Sequence, residues 1–214
     1  MTSFSTRTIA TAAVIVTALF IGGTYYLIRA GESDDPFAPC RTTQVAGGTE
    51  SIGGPFELVN AQGRTVTDGD VITEPSLVYF GYTFCPDVCP FDMARNSDAV
   101  DLLAAEGVSV TPVFISIDPK RDTPEVVGEF AANLHDKAIG LTGSPEQVKA
   151  ASQAYRTFYK AHDDGEDEFY PVDHSTFTYL VLPGRGFVEY FRHETTAEDM
   201  ARTTACFAEK APER

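Results

Sequence analysis

A chain of 214 residues with 43% hydrophobic content has room for one globular domain and a modest appendage. Its 31 acidic residues against 16 basic ones give a formal charge of −15, which argues against nucleic acid and for a basic or metal-carrying partner. Four cysteines are too few for a disulfide-built scaffold, so a hydrophobic core must hold the fold.

The run from Thr8 to Ile28 carries no charge and is long enough to cross a hydrocarbon core of about 30 Å. It ends in the interfacial pair Tyr25-Tyr26 and in Arg29, with no small-residue cleavage site behind it, which predicts an uncleaved single-span anchor over residues 1–29. Arg7 and Arg29 nearly balance across the span, while Glu32, Asp34 and Asp35 are compatible with an exported domain. Residues 30–52, rich in Gly, Pro, Ser and Thr without apolar periodicity, read as a tether, and Cys40 within them reads as an isolated thiol. Residues 53–214 then form the domain.

Phe56–Asn60 and Arg64–Thr67 flank Ala61-Gln62-Gly63 as a hairpin. Leu77–Phe80 is a buried strand, followed by a loop holding Cys85 and Cys89 and a helix from about Pro90 to Ala105. Val108–Ile117 is a second apolar strand, ending in the polar loop Asp118–Asp122 at the edge where α/β proteins place their sites. Thr123-Pro124 caps a helix to about Leu134, and Ala138–Leu141 is a short strand. The capping box Ser144–Gln147 opens a helix expected to carry Val148, Ala151, Tyr155 and Phe158 on one side. The acidic stretch His162–Tyr170 reads as a solvated insertion. A hairpin follows, Thr176–Leu182 and Phe187–Phe191 about the turn Pro183–Gly186, and a last helix covers about Thr196–Glu209. Helices alternating with strands require a partly parallel sheet, while the terminal hairpins add antiparallel pairs. The expectation is an α/β protein: a central mixed sheet flanked by helices, thioredoxin-like, with an added N-terminal hairpin.

Cys85 and Cys89 are one helical turn apart, each followed by a proline, at the mouth of a helix. Unpaired backbone N–H groups and the positive end of the helix dipole stabilise thiolate there. Two nearby thiolates close to a disulfide or grip a soft metal ion, which then needs a further ligand. Of the four histidines, His135 reads as a helix C-terminal charge, His162 lies in the acidic stretch and His193 follows a strand. His174 stands at a strand entrance, and spacing alone leaves it open between a ligand and a structural histidine.

Tyr79–Pro90 (YFGYTFCPDVCP), Ile117–Pro124 (IDPKRDTP) and Val172–Ser175 (VDHS), in that order, resemble the Sco (SenC) family of membrane-anchored copper proteins. The resemblance covers about Gly53 to the C-terminus and extends to the N-terminal anchor, which in bacteria implies an inner-membrane protein with its domain in the periplasm. It implies a thioredoxin-like domain binding one copper ion, Cu(I) or Cu(II), through Cys85, Cys89 and His174. It further implies a metallochaperone that delivers copper to, or reduces the cysteines of, the dinuclear centre of cytochrome c oxidase subunit II, with that subunit or another copper chaperone as its partner. Asp87 and Asp173, beside the ligands, are then candidates to orient them or touch the partner, and Asp118 and Asp122 match an aspartate-containing loop with a structural role. Cys40 and Cys206 lie outside the motifs, and pairing or two unpaired thiols are equally open.

Two other readings compete. A thiol-disulfide oxidoreductase would use Cys85 and Cys89 as its redox pair, though dedicated oxidoreductases of this fold usually place two residues between their cysteines and need no His174. A peroxide-handling protein would need partners for its cysteine, of which Thr83 alone is in view.

Overall fold

The structure, a computed structural model, describes residues 15–26, 35–43, 48, 51–165 and 169–211. It divides into two compact units, Met1–Ala38 and Pro39–Arg214. In the first, residues 15–26 form a helix, α1. The remainder of the expected membrane span lies outside the described residues, and among those described no helix is long and apolar enough to cross a membrane.

The second unit opens with the expected hairpin of β1 (Glu57–Asn60) and β2 (Thr65–Thr67), reversed at Gly63, whose φ of +71° is left-handed. A single turn, α2 (Asp68–Val71), follows where the sequence reading had loop, its start tied by the Asp70 carboxylate to the Thr67 amide at 2.9 Å. Then come β3 (Ser76–Gly81), α3 (Val88–Ala105), β4 (Thr111–Ser116), α4 (Pro124–Leu134), β5 (Ile139–Thr142), α5 (Pro145–Ala154), β6 (Tyr159–Ala161), β7 (Val172–His174), β8 (Thr178–Leu182), β9 (Gly186–Phe191) and α6 (Ala197–Lys210). The main sheet has seven strands in the order β2-β1-β5-β4-β3-β8-β9, parallel between β3, β4 and β5 and antiparallel elsewhere. Every residue of β3 and β4 is buried, as continuous apolar runs in the parallel centre of an α/β sheet should be. The helix starts follow their caps: Thr123 accepts from the Val126 amide, Ser144 from Gln147 and Thr196 from Asp199. This is the mixed, helix-flanked sheet that the element order predicts.

Three features differ from the sequence reading. The helix α5 stops at Ala154, so Phe158 is not on its face but exposed in the following turn. The chain leaves α5 through Arg156 at φ +52°, with Thr157 N–H bonded to Ser152 O and Arg156 N–H to Gln153 O, a Schellman ending with arginine where glycine is usual. Next, β6 and β7 pair as a separate two-stranded ribbon that frames the acidic insertion. Finally, Cys40 is not an isolated thiol: it is disulfide-bonded to Cys206 on α6. The segment behind it is held down as well, Arg41 donating to Val188 O at 2.6 Å and the buried Glu189 carboxylate accepting from the amides of Thr42 and Thr43 and from the Thr43 hydroxyl.

Candidate metal centre

The site forms where β3 runs out. Gly81, the last residue of β3, accepts the Ile117 amide at 2.8 Å, and a Cβ there would lie 2.9 Å from Cys89 Sγ. Only glycine lets the strand end against the sulfur. The loop that follows is fixed from below by Asp122, whose carboxylate accepts the Thr83 amide at 3.1 Å, the Thr83 hydroxyl at 2.6 Å and the Ser116 hydroxyl at 2.5 Å. Desolvation of this buried carboxylate raises its pKa, partly offset by those donors. Since α3 begins at Val88, two residues earlier than expected, Cys89 lies in its first turn. Amides of a first helical turn lack intrahelical acceptors, and that of Cys89 points at Cys85 Sγ, 3.4 Å away.

The third donor arrives on the ribbon. His174 ends β7 opposite Tyr159, and its Nδ1–H donates to the Ser175 carbonyl at 2.9 Å. That bond leaves Nε2 turned toward the sulfurs, 3.3 Å from Cys89 Sγ. The ring is held edge-on by Tyr79 and Tyr82, with centroids 6.3 and 5.8 Å away. One ligand atom from each of Cys85, Cys89 and His174 lies within 4.8 Å of the others, the one grouping of this kind among the described residues.

The two thiols are unlike. A hydrogen bond from the Cys89 thiol, opposed by burial and supported by His174 and the amides of Asp87 and Cys89, holds Cys85 down to about 3. Cys89, fully buried and holding that proton against Cys85, is pushed up. Burial depresses His174, but its contact with the Cys85 thiolate and its bond to Ser175 carry its pKa above the usual value. Nε2 lies closest to Cys89, yet the charge belongs on Cys85, the sulfur at the helix entrance that keeps 9% exposure. The reduced site therefore carries one slightly accessible thiolate and one fully buried thiol facing an imidazole. Such a set suits a soft metal ion or closure to a disulfide.

The other residues singled out in the sequence divide. Asp87 is the exposed N-cap of α3, its side chain making no cap bond, and Asp173 accepts from His162 Nε2 at 2.7 Å. Neither carboxylate bonds a ligand, which corrects the orienting role expected of them; the Ser175 carbonyl orients His174. Asp118 pairs with Arg121 and accepts the Tyr170 hydroxyl at 2.7 Å, so it and Asp122 are structural, as expected. His135 caps α4, and His193 contacts Asp92 at 2.8 Å. Sequence reasoning passed over Tyr79 and Asp92. Tyr79 is buried beside Cys89, and its pKa is raised by burial, Cys89 and Asp92. Asp92 is buried and paired with Arg95 at 3.0 Å. The signal for Asp92 was its spacing of three from Cys89, the period of the buried face that continues through Asn96 and Leu103.

A profile described as SCO1/SenC matches residues 44–209. Protein SenC of Rhodobacter capsulatus is 48% identical over 203 residues, covering 95% of this chain and 91% of the relative. Among solved structures, Arabidopsis thaliana ScoI with copper bound superposes with a TM-score of 0.69 at 38% identity, over 74% of this chain and 99% of that one. BsSco, described as a member of the Sco family of cytochrome c oxidase assembly proteins with a disulfide switch, superposes with a TM-score of 0.61 at 27% identity, over 78% of this chain and 98% of that one.

Proposed function

The chain belongs to the SCO1/SenC family, and from that membership we propose that it is a copper metallochaperone. It takes up one copper ion on Cys85, Cys89 and His174 and delivers it to the dinuclear copper centre of cytochrome c oxidase subunit II. The observation that carries this reading is the convergence of two sulfurs and an imidazole nitrogen within 4.8 Å on separate elements. Thiolate and imidazole together favour copper, above all Cu(I), over harder ions. The copper-bound ScoI structure supports the choice of ion, and the description of BsSco supports the assembly role.

Each ligand has a part. Cys85, already a thiolate and the more exposed sulfur, receives the incoming ion. Cys89 gives up its proton on binding, because only the thiolate is a ligand. His174, its tautomer set by Ser175, closes the site and keeps it three-coordinate and open to a donor from the recipient. Copper titration of the full chain in detergent, reduced and anaerobic, tests this. Wild type is expected to hold one copper; His174→Ala should lose at least tenfold in affinity while Cys85 and Cys89 still close to a disulfide, and Cys85→Ser should hold none. Unchanged affinity in His174→Ala would sink the ligand assignment.

The split pair of thiols favours a second reading, a thiol-disulfide reductase. There Cys85 thiolate attacks a partner disulfide, forming a mixed disulfide and releasing one partner thiolate. Cys89 then attacks Cys85, leaving Cys85–Cys89 oxidised and the partner reduced. Partner reduction that survives in His174→Ala but not in Cys85→Ser, with no copper retained by wild type, would put this reading first.

For location we propose a single-pass inner-membrane protein with residues 8–28 as its span and the domain in the periplasm. The helix α1, apolar and exposed, supports the span, and the Cys40–Cys206 disulfide supports an oxidising compartment. Carbonate extraction should leave the protein in the membrane, and protease added to spheroplasts should degrade the domain.

A further inference from the structure

Three large apolar side chains lie open to solvent, two in the segment that carries the site cysteines and one in contact with the first of them. Phe84, which precedes Cys85, is 46% exposed; Phe91, two residues beyond Cys89, is 67% exposed; and Phe169, from the acidic insertion, is 72% exposed. Phe84 and Phe169 meet across the fold with ring centroids 6.5 Å apart. Their positions are fixed from one side by Arg121, whose guanidinium lies 5.0 Å over Phe84 and 3.7 Å over Tyr170, the neighbour of Phe169. Exposed aromatics beside a reactive centre are where binding energy concentrates in protein interfaces.

The surroundings are acidic. Asp87, Asp163, Asp164 and Asp173 are all exposed, Lys120 and His162 pair with Asp163 and Asp173, and the chain carries −15. A second copy of this chain would bring the same charge, and an anionic lipid surface would be repelled for the same reason. A partner surface rimmed by lysine or arginine would be drawn to it.

Resting on the metallochaperone reading, we propose that Phe84, Phe91 and Phe169 form the docking surface for a protein whose own thiol-containing copper site lies in an apolar patch with a basic rim. Cys89 is fully buried and Cys85 keeps slight exposure, so a partner's donor atom reaches a ligand sulfur at Cys85, the residue that follows Phe84. Apolar contact around that point expels water while the ion is shared between the two sites.

The test uses the full chain, copper-loaded in detergent, with the reduced apo copper-site domain of subunit II from the same organism as probe. Copper retention by the chain alone and its affinity for the probe are measured for wild type, Phe169→Ser, Phe91→Ser and the double variant. Retention should be equal in all four, the double variant should bind the probe at least tenfold more weakly, and wild-type binding should weaken as salt rises from about 50 to about 300 mM. A double variant that binds as tightly as wild type, binding that strengthens with salt, or a copper-loaded wild type that associates only with itself overturns the docking surface alone. A wild type that retains no copper overturns the metallochaperone reading and this one with it.

Discussion

At Cys85 the negative charge of the reduced pair is held by hydrogen-bond donors and an imidazole, so its nucleophilicity follows from fixed geometry. With its pKa held down to about 3 by the Cys89 hydrogen bond, Cys85 is mostly thiolate from about pH 5 upward. Alkylation of the reduced protein by iodoacetamide should therefore modify Cys85 first and at a rate that is flat from about pH 5 to about pH 8, where an ordinary thiol would speed up steeply. His174→Ala removes one of the donors, so the profile should move to higher pH. Peptide mapping across that range checks both statements; a rate that climbs tenfold per pH unit in wild type would contradict the first. Beneath the loop, Asp122→Ala strips three hydrogen bonds from a buried junction and should cost about 3 kcal/mol in chemical denaturation. At this scale the cysteine pair was legible from spacing and prolines alone. His174 was not: four histidines compete, and although the Ser175 carbonyl that sets its tautomer is its chain neighbour, the two tyrosine edges and the sulfur that face it come from residues distant in the chain.

Two element boundaries decide how the site is assembled. At the end of β3, Gly81→Ala would set a methyl against Cys89 Sγ and the Tyr79 ring, both 2.9 Å away. The sulfur must shift to make room, so copper affinity should fall at least tenfold, a larger proportional loss than the change in melting temperature. At the end of α5, Arg156 pays a left-handed conformation that glycine adopts freely. Arg156→Gly should then stabilise the fold by about 0.5–1 kcal/mol, read from the denaturation midpoint. This residue also explains why the helix was read too long. With no glycine to mark the stop, apolar periodicity carried on to Phe158, whereas the turn is closed by backbone bonds to Ser152 and Gln153. The ribbon of β6 and β7 escaped notice for a related reason, since Tyr159-Lys160-Ala161 is short and largely exposed and has no buried face to give it a period. The strands at the centre of the main sheet were readable for another reason, as continuous apolar runs buried on both faces.

Over the whole molecule, the order of strands and helices was enough to anticipate a mixed, partly parallel sheet, because right-twisted strands joined through helices leave few other arrangements. The covalent link between Cys40 and Cys206 stayed open in the sequence between pairing and two unpaired thiols, since 166 positions separate them and their pairing depends on where the fold brings α6. Replacing both by serine should cost about 2–5 kcal/mol, with the site cysteines and copper retention untouched. Ellman titration of the reduced-site native protein should find the thiols of Cys85 and Cys89 alone until the protein is unfolded with reductant. That disulfide makes the polypeptide a closed circuit containing every strand of both sheets and all three candidate ligands. A protease that cuts once in the exposed stretch at residues 162–165 opens the circuit without dividing it, and leaves Cys85 and Cys89 on one fragment and His174 on the other. The nicked protein should run as one band until it is reduced, so the same small-molecule reductant that keeps the site cysteines available would, at higher strength, let the two halves of the metal centre come apart.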